Sequence, residues 1–100
     1  MPIRGDLRSA DAVIDGSRVD AIVEAETRLD DLQAVERRIR TKQRDLGSRR
    51  AILLVADTRH NRAVIRSTPN LRDQFPIGTR TCLAALGRDD DPGGDCLIVL

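Results

Sequence analysis

Aromatic residues are almost absent from this sequence: Phe75 is the only one among 100 residues, and it contains neither tryptophan nor tyrosine. The core must therefore be built from aliphatic side chains. Proteins that bind single-stranded nucleic acids usually stack the bases on aromatic rings. We therefore do not expect this protein to recognise single-stranded bases by stacking.

Cysteine is also scarce, and Cys82 and Cys96 do not have the spacing of a zinc site. We expect two reduced, structural thiols rather than a disulfide, because nothing in the sequence indicates secretion. No apolar run reaches the roughly 20 residues that span a membrane, and the first residues lack the apolar centre of a signal peptide. These features predict a cytoplasmic protein with no membrane partner.

The composition, 40% hydrophobic and 33% charged, is typical of a globular protein, and the length predicts one domain over residues 1–100. The net charge of +1 conceals an uneven distribution. Residues 1–26 carry six acids against three arginines, whereas residues 27–50 carry eight Lys or Arg against four acids. Such a division indicates an acidic centre with a basic flank.

The acidic part of the chain has the alternation of a β-hairpin. Residues 11–15 alternate between polar and apolar side chains, Gly16 and Ser17 favour a turn, and a second strand is predicted over residues 18–26. Side chains two residues apart on a strand share a face. The pattern therefore places Glu24 and Glu26 on one face.

A basic amphipathic helix is predicted next, with Thr27 as its N-cap and Gly47 just beyond its end. Its apolar stripe consists of Leu29, Leu32, Val35, Ile39 and Leu46. A second, polar and basic row runs beside that stripe and consists of Gln33, Arg37, Arg40 and Arg44. The helix thus has one face for the core and one edge for a polyanion.

The remaining chain alternates between strands and helices, which predicts an α/β domain. The predicted elements are a buried strand at residues 51–56, a helix capped by Asp57 or Thr58 and ending at Ile65, a short turn from Pro69 to Phe75, a helix capped by Thr79 and ended by Gly87, a plain loop at residues 89–95, and a final strand at residues 97–100.

Three carboxylates offer a place for chemistry. Asp11 on one strand and Glu24 and Glu26 on the next could supply the hard oxygen ligands that Mg²⁺ prefers. A bound Mg²⁺ polarises a phosphodiester and activates a water nucleophile. Gln33 would lie near such a site, while Arg37, Arg40 and Arg44 would contact the phosphate backbone of DNA.

Asp11, followed by Glu24-Ala25-Glu26 and a helix with Gln33, resembles the PD-(D/E)XK nuclease superfamily. The resemblance implies a restriction-endonuclease-like mixed sheet flanked by helices and a Mg²⁺-dependent DNA endonuclease. Asp11 and Glu24 would bind the metal, Glu26 would orient the water and Gln33 would support the site. Two positions depart from the pattern: Glu26 stands where Lys is usual, and Ala10 where Pro is common.

The chain also resembles the C-terminal part of helix-turn-helix transcription regulators from actinobacteria. The stretches that carry this resemblance are Gly5-Asp6-Leu7-Arg8, Val23-Glu24-Ala25-Glu26-Thr27-Arg28-Leu29 and Leu54-Val55-Ala56-Asp57-Thr58-Arg59-His60-Asn61-Arg62. The resemblance implies a helix-turn-helix domain upstream in the intact protein. It also implies an alternative function, a catalytically inactive module that senses a ligand or forms a homodimer.

Each of these patterns also has an ordinary structural explanation. Glu24 and Glu26 could line a solvated sheet face, and the row of Gln33 and the arginines could be a solvated helix face. His60 could be a surface or capping residue rather than a phosphate ligand or proton shuttle. Asn61 and Arg62 could bind a phosphate at the start of their helix or be surface residues.

Overall fold

The structure is a computed structural model that describes residues 9–15 and 19–100, with residues 9–12 and 15 described by their backbone alone. The predicted turn at Gly16 and Ser17 and the predicted strand start at Arg18 lie outside the described residues. The elements are, in order, β1 (Ser9–Asp15), β2 (Asp20–Glu26), α1 (Leu32–Leu46), β3 (Arg50–Val55), α2 (Arg59–Arg66), α3 (Pro69–Gln74), α4 (Thr79–Gly87) and β4 (Cys96–Val99).

The four strands form one mixed sheet in the order β1-β2-β3-β4. β1 pairs with β2 antiparallel, whereas β2 pairs with β3, and β3 with β4, in parallel. A parallel pair requires a crossover connection: α1 makes the first, and α2, α3 and α4 make the second. The prediction of an α/β domain is therefore confirmed, with a mixed sheet and helices.

Alternate residues of β3 enter two separate apolar clusters, as expected for a strand covered on both faces. Leu53 packs in a cluster that contains side chains of α1, α2 and α3, among them Ile39 and Phe75. Ile52 packs in a second cluster with Cys82 of α4. The α1 face of the sheet is the one that carries Glu24 and Glu26, because Ile22 on the same strand belongs to its cluster.

α1 begins later than predicted. Its N-cap is Asp31, whose side chain accepts a hydrogen bond from the Ala34 N–H at 3.1 Å, so the prediction of Thr27 as N-cap is wrong. The intervening residues are not helical, and the Leu29 N–H is donated across the fold to the side chain of Asn61. At the other end, Gly47 adopts the left-handed conformation at φ 67°, as a residue beyond a helix end often does.

Two smaller corrections concern side chains. Leu46, predicted in the apolar stripe of α1, is the last residue of the helix and is 59% exposed. Thr79 is the first residue of α4 rather than its cap, which is Gly78. The Thr79 hydroxyl instead accepts a hydrogen bond from the Val99 N–H at 2.8 Å and so joins α4 to β4.

The loop between α4 and β4 is tied to the rest of the fold. Asp91 accepts two hydrogen bonds from the Arg50 guanidinium, both at 2.7 Å. Asp95 accepts from the Ala51 N–H at 2.9 Å and from Arg40 Nη1 at 2.6 Å. The segment was predicted as a plain loop; it is irregular, but its carboxylates fasten it to β3 and α1. Within the described residues, no helix combines the length and apolarity needed to cross a membrane.

Candidate functional site

Glu24 and Glu26 are buried beneath α1. They point to the same side of β2, as the alternation of the strand predicts, and α1 packs over that side. Only 1% of Glu24 and 6% of Glu26 remain exposed. The alternative that they line a solvated face is therefore wrong, and both carboxylates need polar partners inside the fold.

Arg38 of α1 is the partner that joins the two carboxylates. Its Nε donates to Glu24 Oε1 at 2.9 Å, and its Nη2 donates to Glu26 Oε1. Lys42, one helical turn further on, places Nζ 3.5 Å from Glu24 Oε1. The hydrogen bond to Glu24 and the charges of both carboxylates raise the pKa of Arg38, although its partial burial opposes that rise. Two buried acids thus face two cations.

Sequence reasoning did not identify Arg38 or Lys42, but a signal exists. The two cations are four residues apart, and each lies three residues after a buried apolar residue of α1, Val35 and Ile39. Side chains spaced in this way border the stripe that faces the sheet. Cations along that border are therefore candidates for pairing with carboxylates on the strand below.

The strand register brings the backbone of Asp11 beside the acidic pair. In the antiparallel ladder, the Cα of Asp11 is directly opposite that of Glu24, and Ser9 is opposite Glu26. Directly opposite positions of a ladder belong to the same face of a sheet. The backbone of Asp11 is therefore adjacent to that of Glu24. The described part of Asp11 is its backbone alone, and the metal site stays a prediction.

Gln33 is not part of the cluster of carboxylates and cations. Its side chain is exposed and, together with Arg37 and Arg40, lines a shallow surface depression of about 390 Å³ that neither Glu24 nor Glu26 borders. The polar row of α1 and the acidic pair are therefore separate features in this structure.

The three arginines of that row have different surroundings. Arg40 holds Asp95 by a salt bridge of 2.6 Å, and its guanidinium lies 5.0 Å above the centre of the Phe75 ring. This cation–π contact and the salt bridge give Arg40 a structural role. Arg37 and Arg44 are exposed, and Arg44 has only a loose contact to Asp45 at 3.7 Å.

Asn61 has a role that the sequence did not indicate. Its side-chain oxygen accepts from the Leu29 N–H at 2.8 Å, and its amide nitrogen donates to the Thr27 and Ala56 carbonyls, both at 2.9 Å. Because Asn61 is fully buried, the hypothesis that it binds a phosphate is wrong. It instead fastens the segment after β2 to the segment after β3.

Thr58, His60 and Arg62, which flank Asn61 at the start of α2, were also predicted to cap the helix, bind a phosphate or lie on the surface. Thr58 caps α2 as predicted, by accepting from the Asn61 N–H at 3.1 Å. His60 is half-buried, with Nε2 2.8 Å from the Leu29 carbonyl oxygen, so it supports the same junction. Arg62 lies on the surface, with Nε 3.3 Å from Asp57 Oδ1.

The described residues contain no group of three or more His, Cys, Asp or Glu side chains arranged to hold a metal ion. Glu24 Oε1 and Glu26 Oε1 each accept a hydrogen bond from Arg38. A Mg²⁺ ion bound through these two oxygens would compete with the guanidinium for them.

Comparison with protein-family models, with curated proteins and with solved structures found no match to this chain. The family resemblance of the sequence therefore stays a prediction.

Proposed function

We propose that this chain is a restriction-endonuclease-like domain that associates with DNA but does not cut it, because Arg38 takes the place of a catalytic metal ion. The single observation behind this proposal is the guanidinium that joins Glu24 to Glu26. Such a domain would serve a helix-turn-helix regulator as a binding module rather than as a nuclease.

Charge balance supports the non-catalytic assignment. Buried carboxylates are stabilised by opposite charge and hydrogen bonds, and a metal ion or basic side chains can supply the charge. Here Arg38 and Lys42 supply two positive charges to two acids. A Mg²⁺ ion added to this set would bring the local charge to +2 and repel both side chains. Metal binding is therefore disfavoured while α1 stays docked.

DNA association would depend on the outer face of α1. Arg37 and Arg44 are exposed there and can reach phosphates, whereas Arg40 is engaged with Asp95 and Phe75. Exposed cations that contact phosphates increase both affinity and its dependence on salt. We therefore assign the DNA-docking surface to Arg37 and Arg44. Arg40 has a structural role through its contacts with Asp95 and Phe75.

A metal-binding experiment tests the non-catalytic assignment. We expect the wild-type protein not to bind Mg²⁺ or Mn²⁺ in calorimetry and not to cut plasmid DNA with either ion. In the Arg38→Gln variant the carboxylates lose the competing cation, and we expect Mn²⁺ binding to appear. Arg37→Gln is the matched control because it removes an arginine from the same helix without touching Glu24 or Glu26. Metal-dependent cleavage by the wild-type protein would overturn the assignment.

Filter binding over a range of salt concentrations tests the DNA surface. Each phosphate contact contributes about 0.9 to the slope of log affinity against log salt concentration. The Arg37→Gln, Arg44→Gln double variant should therefore lose about 1.8 from that slope and bind more weakly. Arg59→Gln, Arg80→Gln makes the same change of charge on other helices. Equal effects of the two double variants would show that general charge, not the α1 surface, governs binding.

The second candidate is a Mg²⁺-dependent phosphodiester hydrolase, favoured by the register that sets Asp11 opposite Glu24. In that case Asp11 and Glu24 would hold the metal after Arg38 withdraws, Glu26 would orient the attacking water and Gln33 would support it. Cleavage that disappears in both Asp11→Ala and Glu24→Ala would favour this candidate. Cleavage that persists in either variant points to a contaminating nuclease.

A further inference from the structure

A cavity of about 650 Å³ lies beyond the carboxyl ends of β3 and β4, away from the acidic pair. Asp57 lines it just after β3, and Val99 lines it at the end of β4. In open sheets with parallel strands, ligands bind outside the carboxyl ends of the strands. The volume is within the range of small-molecule pockets, about 300–1,000 Å³.

The wall of this cavity carries more positive than negative charge. Arg62, Arg66 and Arg72 line it, against the single carboxylate of Asp57. Arg62 pairs with that carboxylate at 3.3 Å. In the part of the chain that the structure describes, neither Arg66 nor Arg72 forms a salt bridge or hydrogen bond. Two arginines in a concave wall thus have their donors available for a ligand, and guanidinium groups bind phosphates by paired hydrogen bonds.

The start of α4 adds further donors. Thr79, the first residue of this nine-residue helix, lines the cavity, and the N-cap Gly78 has no side chain to satisfy the first N–H groups. The first N–H groups of a helix lack partners within the helix and favour an anion. The Thr79 hydroxyl accepts from Val99, so its own hydrogen remains available to a ligand oxygen.

The other lining residues indicate what accompanies the phosphate. Ile65, Pro69 and Val99 supply apolar surface, and Asp57 supplies a carboxylate that can accept from hydroxyl groups. The cavity contains no aromatic ring on which a base could stack, since Phe75 is fully buried beneath Arg40. A small phosphorylated sugar or polyol fits this combination better than a nucleotide.

We propose that the cavity between α2, α3 and the start of α4 binds a small sugar or polyol phosphate, with Arg66 and Arg72 on the phosphate and Asp57 on a hydroxyl group. This site goes beyond the proposed function, because it shares no residue with the acidic pair or with the DNA surface of α1. Metal and nuclease assays test the acidic pair, whereas phosphate titrations test the cavity. Either proposal can therefore fail alone.

Calorimetric titration with ribose 5-phosphate, inorganic phosphate and ribose tests the site. We expect saturable binding of ribose 5-phosphate, weaker binding of inorganic phosphate and none of ribose. Arg66→Gln and Arg72→Gln should each weaken ribose 5-phosphate binding at least about tenfold, since a charged hydrogen bond is lost. Arg59→Gln is the matched control, because Arg59 is an exposed arginine of α2, the helix of Arg66, and does not line the cavity. Asp57→Asn should weaken ribose 5-phosphate but not inorganic phosphate.

Three results would overturn the proposal. The first is no saturable binding of ribose 5-phosphate at millimolar concentration. The second is binding that neither arginine variant weakens. The third is a loss of duplex DNA affinity in these variants that exceeds the loss in the Arg37→Gln, Arg44→Gln variant, which would make the cavity part of the DNA surface. If a variant fails to fold, amide shifts of Ile65 and Val99 in the titrated wild-type protein give the answer.

Discussion

Asn61 shows how much one buried side chain contributes to the position of the site. It makes three hydrogen bonds to backbone groups of the segments that follow β2 and β3. A backbone hydrogen bond from the Ala56 N–H to the Glu26 carbonyl, at 3.1 Å, also joins these segments. A buried backbone group that loses its partner costs about 1–3 kcal/mol. The side chain therefore determines where the chain leaves β2 after Glu26.

Asn61→Ala should consequently lower the free energy of unfolding by about 3 kcal/mol, because three buried hydrogen bonds are lost. Urea denaturation measures this loss as a lower midpoint concentration of urea, with an unchanged slope of unfolding free energy against urea concentration. Asn70→Ala is the matched control, since Asn70 is exposed on α3, and a surface change of this kind stays within about 0.5 kcal/mol. Equal midpoints for the two variants would contradict the role assigned to Asn61.

The Asp91–Arg50 pair makes stability depend on pH. The hydrogen bonds from Arg50 lower the pKa of Asp91 from its ordinary value. A carboxylate with a lowered pKa in the folded state stabilises the fold above its unfolded pKa of about 3.9. That stabilisation is lost as the pH falls through the lower, folded value.

Asp91→Asn should therefore cost about 1 kcal/mol at neutral pH, a value limited by the partial exposure of the pair. The difference from the wild-type protein should shrink as the pH falls below about 4, because the Asp91 carboxylate of the unfolded chain is protonated there and that of the folded chain only at lower pH. Denaturation at a series of pH values measures it. Asp73→Asn, at an exposed aspartate of α3 outside any described salt bridge, is the matched control, and its effect at neutral pH should stay within about 0.5 kcal/mol. A constant difference at every pH would disprove the assignment.

At the scale of the element, α1 is held by its ends as much as by its apolar face. Only Val35 and Ile39 are fully buried along its fifteen residues. Gly47 ends the helix in the left-handed conformation, and its N–H bonds to the Arg44 carbonyl. Asp31 caps the start. The positions of Arg38 and Lys42 over β2 therefore depend on these two caps.

Two glycine variants separate the effect of backbone conformation from the effect of the space available for a side chain. Neither Gly47 nor Gly87 has an atom within 4 Å of an added Cβ, but only Gly47 has a positive φ, of 67°. Gly47→Ala should cost about 1 kcal/mol, because alanine is strained there. Gly87→Ala, at the end of α4, should instead gain about 0.5 kcal/mol by restricting the unfolded chain. Thermal denaturation should shift in opposite directions; a shift in the same direction would contradict this explanation.

At the scale of the whole molecule, alternation and helical spacing predict most of the elements. The runs behind β2, β3 and α1 are long and regular, so their existence and the shared face of Glu24 and Glu26 follow from the sequence. The pairing of Arg38 with these carboxylates does not follow from the sequence, because it depends on how α1 is rotated about its axis over the sheet. Asn61 contacts a segment 32 residues away, and such a contact exists only once the fold has formed.

The two cysteines report on the whole fold. Cys82 and Cys96 are fully buried in the cluster beneath α4, and their burial raises the pKa of each thiol. A thiol reagent at pH 8 should therefore leave both unmodified in the folded protein and react with both in denaturant. The rate should follow global unfolding as the urea concentration increases. Rapid reaction of either thiol without denaturant would show that α4 opens independently of the sheet.

The hydrogen bond from the Leu29 N–H to Asn61 also makes this amide a probe of local opening by hydrogen–deuterium exchange. The Leu29 N–H donates to the side chain of Asn61 on α2. It takes no part in the backbone hydrogen bonds of a helix or a strand. Its exchange with deuterium therefore requires α2 and the segment after β2 to separate. α2 also carries Arg62 and Arg66, which line the cavity. The exchange rate of this single proton thus measures how often α2, with two arginines of the cavity, separates from the end of β2.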